Sequence, residues 1–111
     1  NSLTTNRRIN WVIGLEYKTT SDQLTKIKNE IEDYIKKSEL FTNSGDTFLS
    51  VKIEQFAASS IDIRLICFTK TKQYLEWMKV KDILAIAIKT IVEKNNASFA
   101  FPSTSIYVEK N

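Results

Sequence analysis

The sequence predicts an α+β fold of the ferredoxin-like type, a βαββαβ sandwich in which an antiparallel sheet is backed by two helices. Two observations predict this fold. Four segments alternate apolar and polar residues with a period of two, as half-buried strands do. Two longer segments repeat apolar residues at every third or fourth position, as amphipathic helices do. Each helix follows a strand and is long enough to cross over to another strand of the same sheet.

The first strand is predicted over residues 8–18, where the apolar residues alternate: Ile9, Trp11, Ile13, Leu15 and Tyr17. A helix follows the possible N-cap residues 19–22. Its predicted apolar stripe comprises Leu24, Ile27, Ile31, Tyr34 and Ile35. Its other side carries acid–base pairs four residues apart, such as Asp22 with Lys26, and these pairs support helices in water. We therefore expect a solvated outer face.

The second and third strands are predicted to form a hairpin. Alternation runs from Phe48 to Phe56 and again from Ile61 to Phe68, with only the small residues 57–60 between the two runs. Cys67 belongs to the more apolar set of the third strand. We expect its thiol to be buried in the core and unreactive.

The second helix is predicted from Tyr74 to the pair Asn95-Asn96, because asparagine tolerates the left-handed conformation that ends helices. Its apolar repeat comprises Tyr74, Trp77, Val80, Ile83, Leu84, Ala87, Ile91 and Val92. A short fourth strand is predicted at residues 105–109. Residues 1–7 and 110–111 are expected to be loose, so residues 8–109 form one domain with one core.

The composition excludes several classes of site. The chain has 111 residues, with no His, one Cys and two Gly. Without His, neither a Ser-His nor a Cys-His nucleophile pair can form, and a structural zinc site lacks its ligands. Two isolated glycines cannot provide the glycine-rich loops that bind nucleotides. We expect no enzyme activity, no catalytic residues, no metal and no cofactor.

Two other functions have weak support in the sequence. A hydrolase that works with carboxylates alone would need paired acids, and Glu54 and Asp62 are expected to point away from the apolar side of their strands. An RNA-binding sheet would need aromatic residues on the third strand, which offers only Phe68 there. The net charge of +3 is modest. We therefore expect no nucleic acid partner.

Some apolar residues exceed what a small core can bury. They belong to a set of six: Trp77 and Met78 on the second helix, and Phe99, Phe101, Pro102 and Tyr107 near the C-terminus. Such residues either cover an open end of the sheet or contact another subunit. The candidate residues for subunit packing are Trp77, Phe101, Pro102 and Tyr107.

Five short segments resemble the carboxy-terminal cytoplasmic domain of MscS-like small-conductance mechanosensitive channels: residues 59–65, 68–71, 91–93, 99–103 and 107–109. The pair Phe101-Pro102 is the most specific part, and the resemblance covers roughly residues 8–109. Two features depart from the family pattern. Asn95-Asn96 stands where the family usually has a glycine, and residues 103–105 stand where a basic residue commonly follows the Phe-Pro-Ser.

The resemblance implies a channel that self-associates into a ring, commonly a heptamer, and opens under membrane tension to release ions and small osmolytes. This domain would form the wall of a cytoplasmic vestibule, below the cell's inner membrane, and would assist subunit assembly and solute filtering. No apolar run approaches the roughly 20 residues of a membrane-spanning helix. We expect the chain to be part of a longer protein. The alternative is a free-standing ferredoxin-like ligand-binding or regulatory module.

Overall fold

The computed structural model describes residues 7–42 and 49–100. Its elements are β1 (Arg8–Leu15), α1 (Ser21–Lys37), β2 (Ser50–Phe56), β3 (Ile61–Phe68) and α2 (Tyr74–Lys94). The sheet has the order β1-β3-β2, and both pairings are antiparallel. The α1 crossover leaves room for β3 between β1 and β2, as in a split βαβ unit. The α+β fold is confirmed, and the predicted strand at 105–109 lies outside the described residues.

The core lies between one face of the sheet and the two helices. Alternate residues of β1 and β3 point to this side, including Ile9, Ile13, Ile63 and Leu65. The helices contribute Leu24, Ile27, Ile31 and Ile35 from α1, and Val80, Leu84, Ile88 and Val92 from α2. Each buried Leu, Ile or Val side chain stabilises the fold by about 1.5–3 kcal/mol. Burial along α1 follows the predicted stripe, apart from a half-buried Tyr34.

The start of α1 is fixed by a reciprocal cap. The Thr20 hydroxyl accepts a hydrogen bond from the backbone N–H of Gln23 at 3.2 Å, and the Gln23 side chain accepts one from the backbone N–H of Thr20 at 2.8 Å. Gln23 also donates from its amide nitrogen to the carbonyl oxygen of Asn95 at 2.8 Å. This contact ties the beginning of α1 to the end of α2.

The end of α2 follows the prediction made from its asparagines. Asn96 has φ 61°, the left-handed conformation that ends helices. Glu30 of α1 accepts a hydrogen bond from the Asn95 side chain at 3.3 Å and pairs with Lys94 at 3.0 Å. The two helices are therefore held together where α2 stops.

The first strand is shorter than predicted. It ends at Leu15 because the chain turns there: the backbone N–H and the hydroxyl of Thr19 both donate to the carbonyl oxygen of Glu16, at 3.0 and 2.6 Å. Tyr17 lies in this turn and is exposed, so it does not continue the apolar face of the strand. The second strand begins at Ser50, and Phe48 lies outside the described residues.

Cys67 is buried, as the sequence predicts, with 1% of its surface exposed. Burial raises the pKa of its thiol to about 12. Because the thiolate is the reactive form, this cysteine is a packing residue in the folded domain.

Candidate functional site: the exposed faces of the second helix and the sheet

The side of α2 that faces away from the core carries three exposed apolar residues, Leu75, Ile83 and Ile86, which we call the outer strip. Leu75 is 74% exposed, Ile86 62% and Ile83 43%. Leu75 and Ile86 are eleven positions apart, just over three helical turns, so they lie on the same face of the helix. Lys79 and Asp82 lie between Leu75 and Ile86 on this face, so the strip combines exposed apolar residues with charged ones.

Sequence reasoning missed Leu75 and Ile86 and placed Tyr74 and Ile83 in the buried stripe. The structure buries Val80, Leu84 and Val92, as predicted, and adds Ile88, so the buried residues have a strict spacing of four. The spacing of four is visible in the sequence, and it places Leu75 and Ile86 on the opposite face of the helix. The prediction placed Tyr74 and Ile83 wrongly because apolar residues occur on several sides of α2. Such a sequence is compatible with more than one choice of buried stripe.

Trp77 lies in an aromatic cluster at the start of α2. The Tyr74 ring is 5.9 Å from the Trp77 ring, the Arg7 guanidinium carbon is 5.3 Å from it, and the Lys81 ammonium nitrogen is 4.0 Å from it. Cation–π contacts at such sites contribute about 0.5–1 kcal/mol each. The indole Nε1 is buried without a hydrogen-bond partner among the described residues.

The four candidates for subunit packing are therefore not brought together within the described part of the chain. Trp77 is half-buried and packs against the core of its own domain. Phe101, Pro102 and Tyr107 lie outside the described residues. Their part in subunit packing stays a prediction.

The face of the sheet opposite the helices is polar, and Arg64 links its three strands. The Arg64 guanidinium donates to both carboxylate oxygens of Glu54, at 2.7 and 2.9 Å, and to the Asn10 side-chain oxygen at 2.9 Å. Glu54 belongs to β2 and Asn10 to β1, so a single side chain on β3 bridges both neighbours. The hydrogen bonds from Arg64 hold the pKa of Glu54 below its ordinary value.

Asp62 forms a second polar group on the same strand. Gln55 donates to one carboxylate oxygen at 3.0 Å, and the Ser60 hydroxyl donates to the other at 2.7 Å. These hydrogen bonds lower the pKa of Asp62. Because both Glu54 and Asp62 have lowered pKa values and existing partners, neither is suited to give up a proton as a general acid.

The described ranges offer no other chemical centre. Within residues 7–42 and 49–100, no three His, Cys, Asp or Glu side chains are grouped so that they could hold a metal ion. Over the same ranges, neither helix is long and apolar enough to cross a membrane. The outer strip and the polar face of the sheet are candidate surfaces for a function.

Comparison with known proteins identifies the family. The model of the C-terminal domain of the mechanosensitive ion channel MscS matches residues 9–99. The chain belongs to the MscS family. This is a family of channels and not of enzymes, and the resemblance drawn from the sequence is confirmed.

Two curated relatives share more than a third of the residues they align with. An uncharacterized MscS family protein of Aquifex aeolicus is 36% identical over 104 residues, which are 94% of this chain and 28% of that protein. The low conductance mechanosensitive channel YnaI of Escherichia coli is 35% identical over 105 residues, which are 95% of this chain and 30% of that protein. The chain thus spans less than a third of these relatives.

Solved structures share the fold. Helicobacter pylori MscS in its closed state matches with a TM-score of 0.69 and 24% identity, over 89% of this chain and 36% of that one. Arabidopsis thaliana MSL1 matches with a TM-score of 0.79 and 17% identity, over 92% of this chain and 36% of that one. At these identities the likeness concerns the α+β fold.

The lowered pKa values of Glu54 and Asp62 predict how stability depends on pH. A carboxyl group with a lower pKa in the folded state stabilises the fold above its unfolded pKa, and this contribution is lost as pH falls through the folded pKa. The double variant Glu54→Gln, Asp62→Asn should therefore lose less stability than the parent between about pH 5 and pH 3. Melting temperatures measured across pH 3–7 test this, with Glu39→Gln as a control on an exposed residue. Parallel curves for parent and double variant would contradict it.

Proposed function

We propose that this domain forms part of the cytoplasmic vestibule wall of a mechanosensitive channel, which releases ions and small osmolytes when membrane tension rises. The match to the MscS C-terminal domain over residues 9–99 carries the proposal. The names of two relatives agree with it: the channel YnaI and the small-conductance mechanosensitive channel MscMJ of Methanocaldococcus jannaschii, which is 24% identical over 107 residues. Family membership favours this function over a free-standing ligand-binding module.

By the same reasoning the parent protein lies in the inner membrane, and this domain lies on its cytoplasmic side. Its subunits form a ring, by resemblance a heptamer. Such a ring needs a contact surface on each domain. The outer strip of α2 offers one because its apolar residues are exposed, with the charged residues Lys79 and Asp82 between Leu75 and Ile86 on the same face. Trp77, Phe101, Pro102 and Tyr107 remain candidates for the same assembly.

Solute filtering would depend on the charges that line the vestibule. The outer face of α1 offers regularly spaced ion pairs for this purpose. Lys26 pairs with Asp22 at 3.8 Å, and Lys36 pairs with Glu32 at 3.8 Å. Each pair brings opposite charges together, so their fields largely cancel beyond about 10 Å at ordinary salt. We infer that this face would select solutes by size more than by the sign of their charge.

The channel function is tested in the full-length protein that contains this chain. Expressed in bacteria that lack their own mechanosensitive channels, it should restore survival of a sudden drop in osmolarity, and membrane patches should show currents that rise with suction. Patches from cells with an empty vector serve as the control. Absence of tension-dependent current from protein that reaches the membrane would contradict the proposal.

The contact surface is tested separately by Leu75→Ser with Ile86→Ser. Since both side chains are largely exposed, the 111-residue chain should keep its free energy of unfolding to within about 1 kcal/mol for the two changes together. In the full-length protein, the same changes should weaken the ring, because apolar contact residues often contribute more than about 1 kcal/mol each. Size-exclusion chromatography with light scattering measures the assembly.

A matched control uses Phe56→Ser, an exposed apolar residue at the end of β2. It removes one exposed apolar side chain from another part of the domain and should leave the ring intact. Equal weakening by Phe56→Ser, or an intact ring in the Leu75→Ser, Ile86→Ser variant, would contradict the assignment of the outer strip.

A further inference from the structure

An apolar groove of about 300 Å³ runs beside β1, between this strand and α2. Trp11 and Ile13 form its β1 side, and Ala85 and Ile88 form its α2 side. β1 lies at one edge of the sheet formed by the described residues, with β3 on its inner side. The backbone groups on the outer side of β1 therefore do not pair with β2 or β3. The groove therefore combines an apolar cleft with a strand edge that can accept another extended segment.

The chain itself arrives at this edge after α2. The backbone N–H of Glu16 donates to the carbonyl oxygen of Ser98 at 3.1 Å, and the N–H of Ala100 donates to the carbonyl oxygen of Gly14 at 2.9 Å. Leu15 and Phe99 are thus directly opposite each other in an antiparallel bridge. Phe99 points to the same side of the sheet as Leu15, packs against the core and lines the groove.

This bridge sets the register for the residues that follow. In an antiparallel pair, each step forward on one strand is a step back on the other, so position 101 is opposite Ile13. Residues two apart in an extended chain share a face and are separated by about 6.6 Å. If the chain continues in this register, a side chain at position 101 would be on the same side as Phe99, toward the groove between Ile13 and Ile88.

The same register predicts that Pro102 cannot continue the pairing with β1. Positions 14 and 100 are joined by the hydrogen bond described above, so the next bonding position along the edge pairs Val12 with residue 102. The N–H at 102 would have to donate to the carbonyl oxygen of Val12. Proline has no N–H, and its ring occupies that space.

We propose that Phe101 of the same chain occupies this groove, and that Pro102 ends the pairing with β1 and directs the chain away from it. The proposal depends on the described residues and not on the channel function. It gives Phe101 a contact within its own domain, which is the alternative to the subunit contact for which Phe101 is a candidate. It also fixes the point beside β1 from which the last residues leave the domain.

The contribution of Phe101 is measured by chemical unfolding of the 111-residue chain. Phe101→Ala should change the unfolding equilibrium constant about ten- to a hundredfold, because it empties an apolar groove, whereas Phe101→Leu should retain most of the stability. Tyr107→Ala is the matched control, an aromatic residue beyond Pro102, and should change the constant less than about threefold. No effect of Phe101→Ala, or an equal effect of Tyr107→Ala, would overturn the proposal.

The occupant of the groove is identified by cross-linking. In the double variant Ala85→Cys, Phe101→Cys, oxidation should form a disulfide within one chain, seen as a loss of two thiols without a dimer at any protein concentration. The native thiol of Cys67 is buried and does not interfere. Ala85→Cys with Tyr107→Cys is the control pair and should stay reduced. Cross-linked dimers in the first variant would show that a second copy fills the groove, and absence of any cross-link would show that Phe101 lies elsewhere; either result overturns the proposal.

The part assigned to Pro102 is tested by hydrogen exchange on Pro102→Ala. This change restores an N–H at a position where the register places Val12 opposite. The amide at position 102 should exchange at least tenfold more slowly than the amide at 103, which the alternation of the ladder directs away from β1. Equal exchange at the two positions would show that the register does not continue and would overturn this part of the proposal.

Discussion

The central strand β3 is the element on which the rest of the domain depends, because it pairs with both other strands and separates two unlike faces. On one side, Ile61, Ile63 and Leu65 form the middle of the core. On the other side, Arg64 holds Glu54 and Asn10 from the neighbouring strands. A shift of β3 by one residue would exchange these two sets, burying a charged guanidinium and exposing the core. The register of the sheet is therefore strongly determined by the sequence of this strand.

The sequence predicts most of the fold because its local signals agree with one another. The cap at Thr20, the hairpin at residues 57–60 and the left-handed Asn96 all lie where local chemistry places them. The end of β1 was harder to predict, since Tyr17 continues the apolar alternation although the chain already turns through Thr19. The hydrogen bond from the Thr19 hydroxyl to the Glu16 carbonyl oxygen belongs to the turn that ends β1. The apolar periodicity of the sequence does not reveal such a hydrogen bond.

The surface of α2 shows the same limit at the candidate site. Leu75 and Ile86 lie outside this domain's own core, so a search for the buried stripe of α2 does not find them. Trp77 was singled out for its size, yet much of its ring packs against its own domain beside Arg7 and Lys81. The folded structure separates the exposed Leu75 and Ile86 from the partly buried Trp77, and composition alone does not.

The outer strip of α2 is the proposed contact between neighbouring subunits. A cryo-electron microscopy structure of the full-length protein in a lipid bilayer measures this contact directly. We expect Leu75 and Ile86 to be buried against an adjacent subunit of the ring, with α1 turned toward water. A ring in which both residues face solvent, while neighbouring subunits meet through other surfaces, would contradict it.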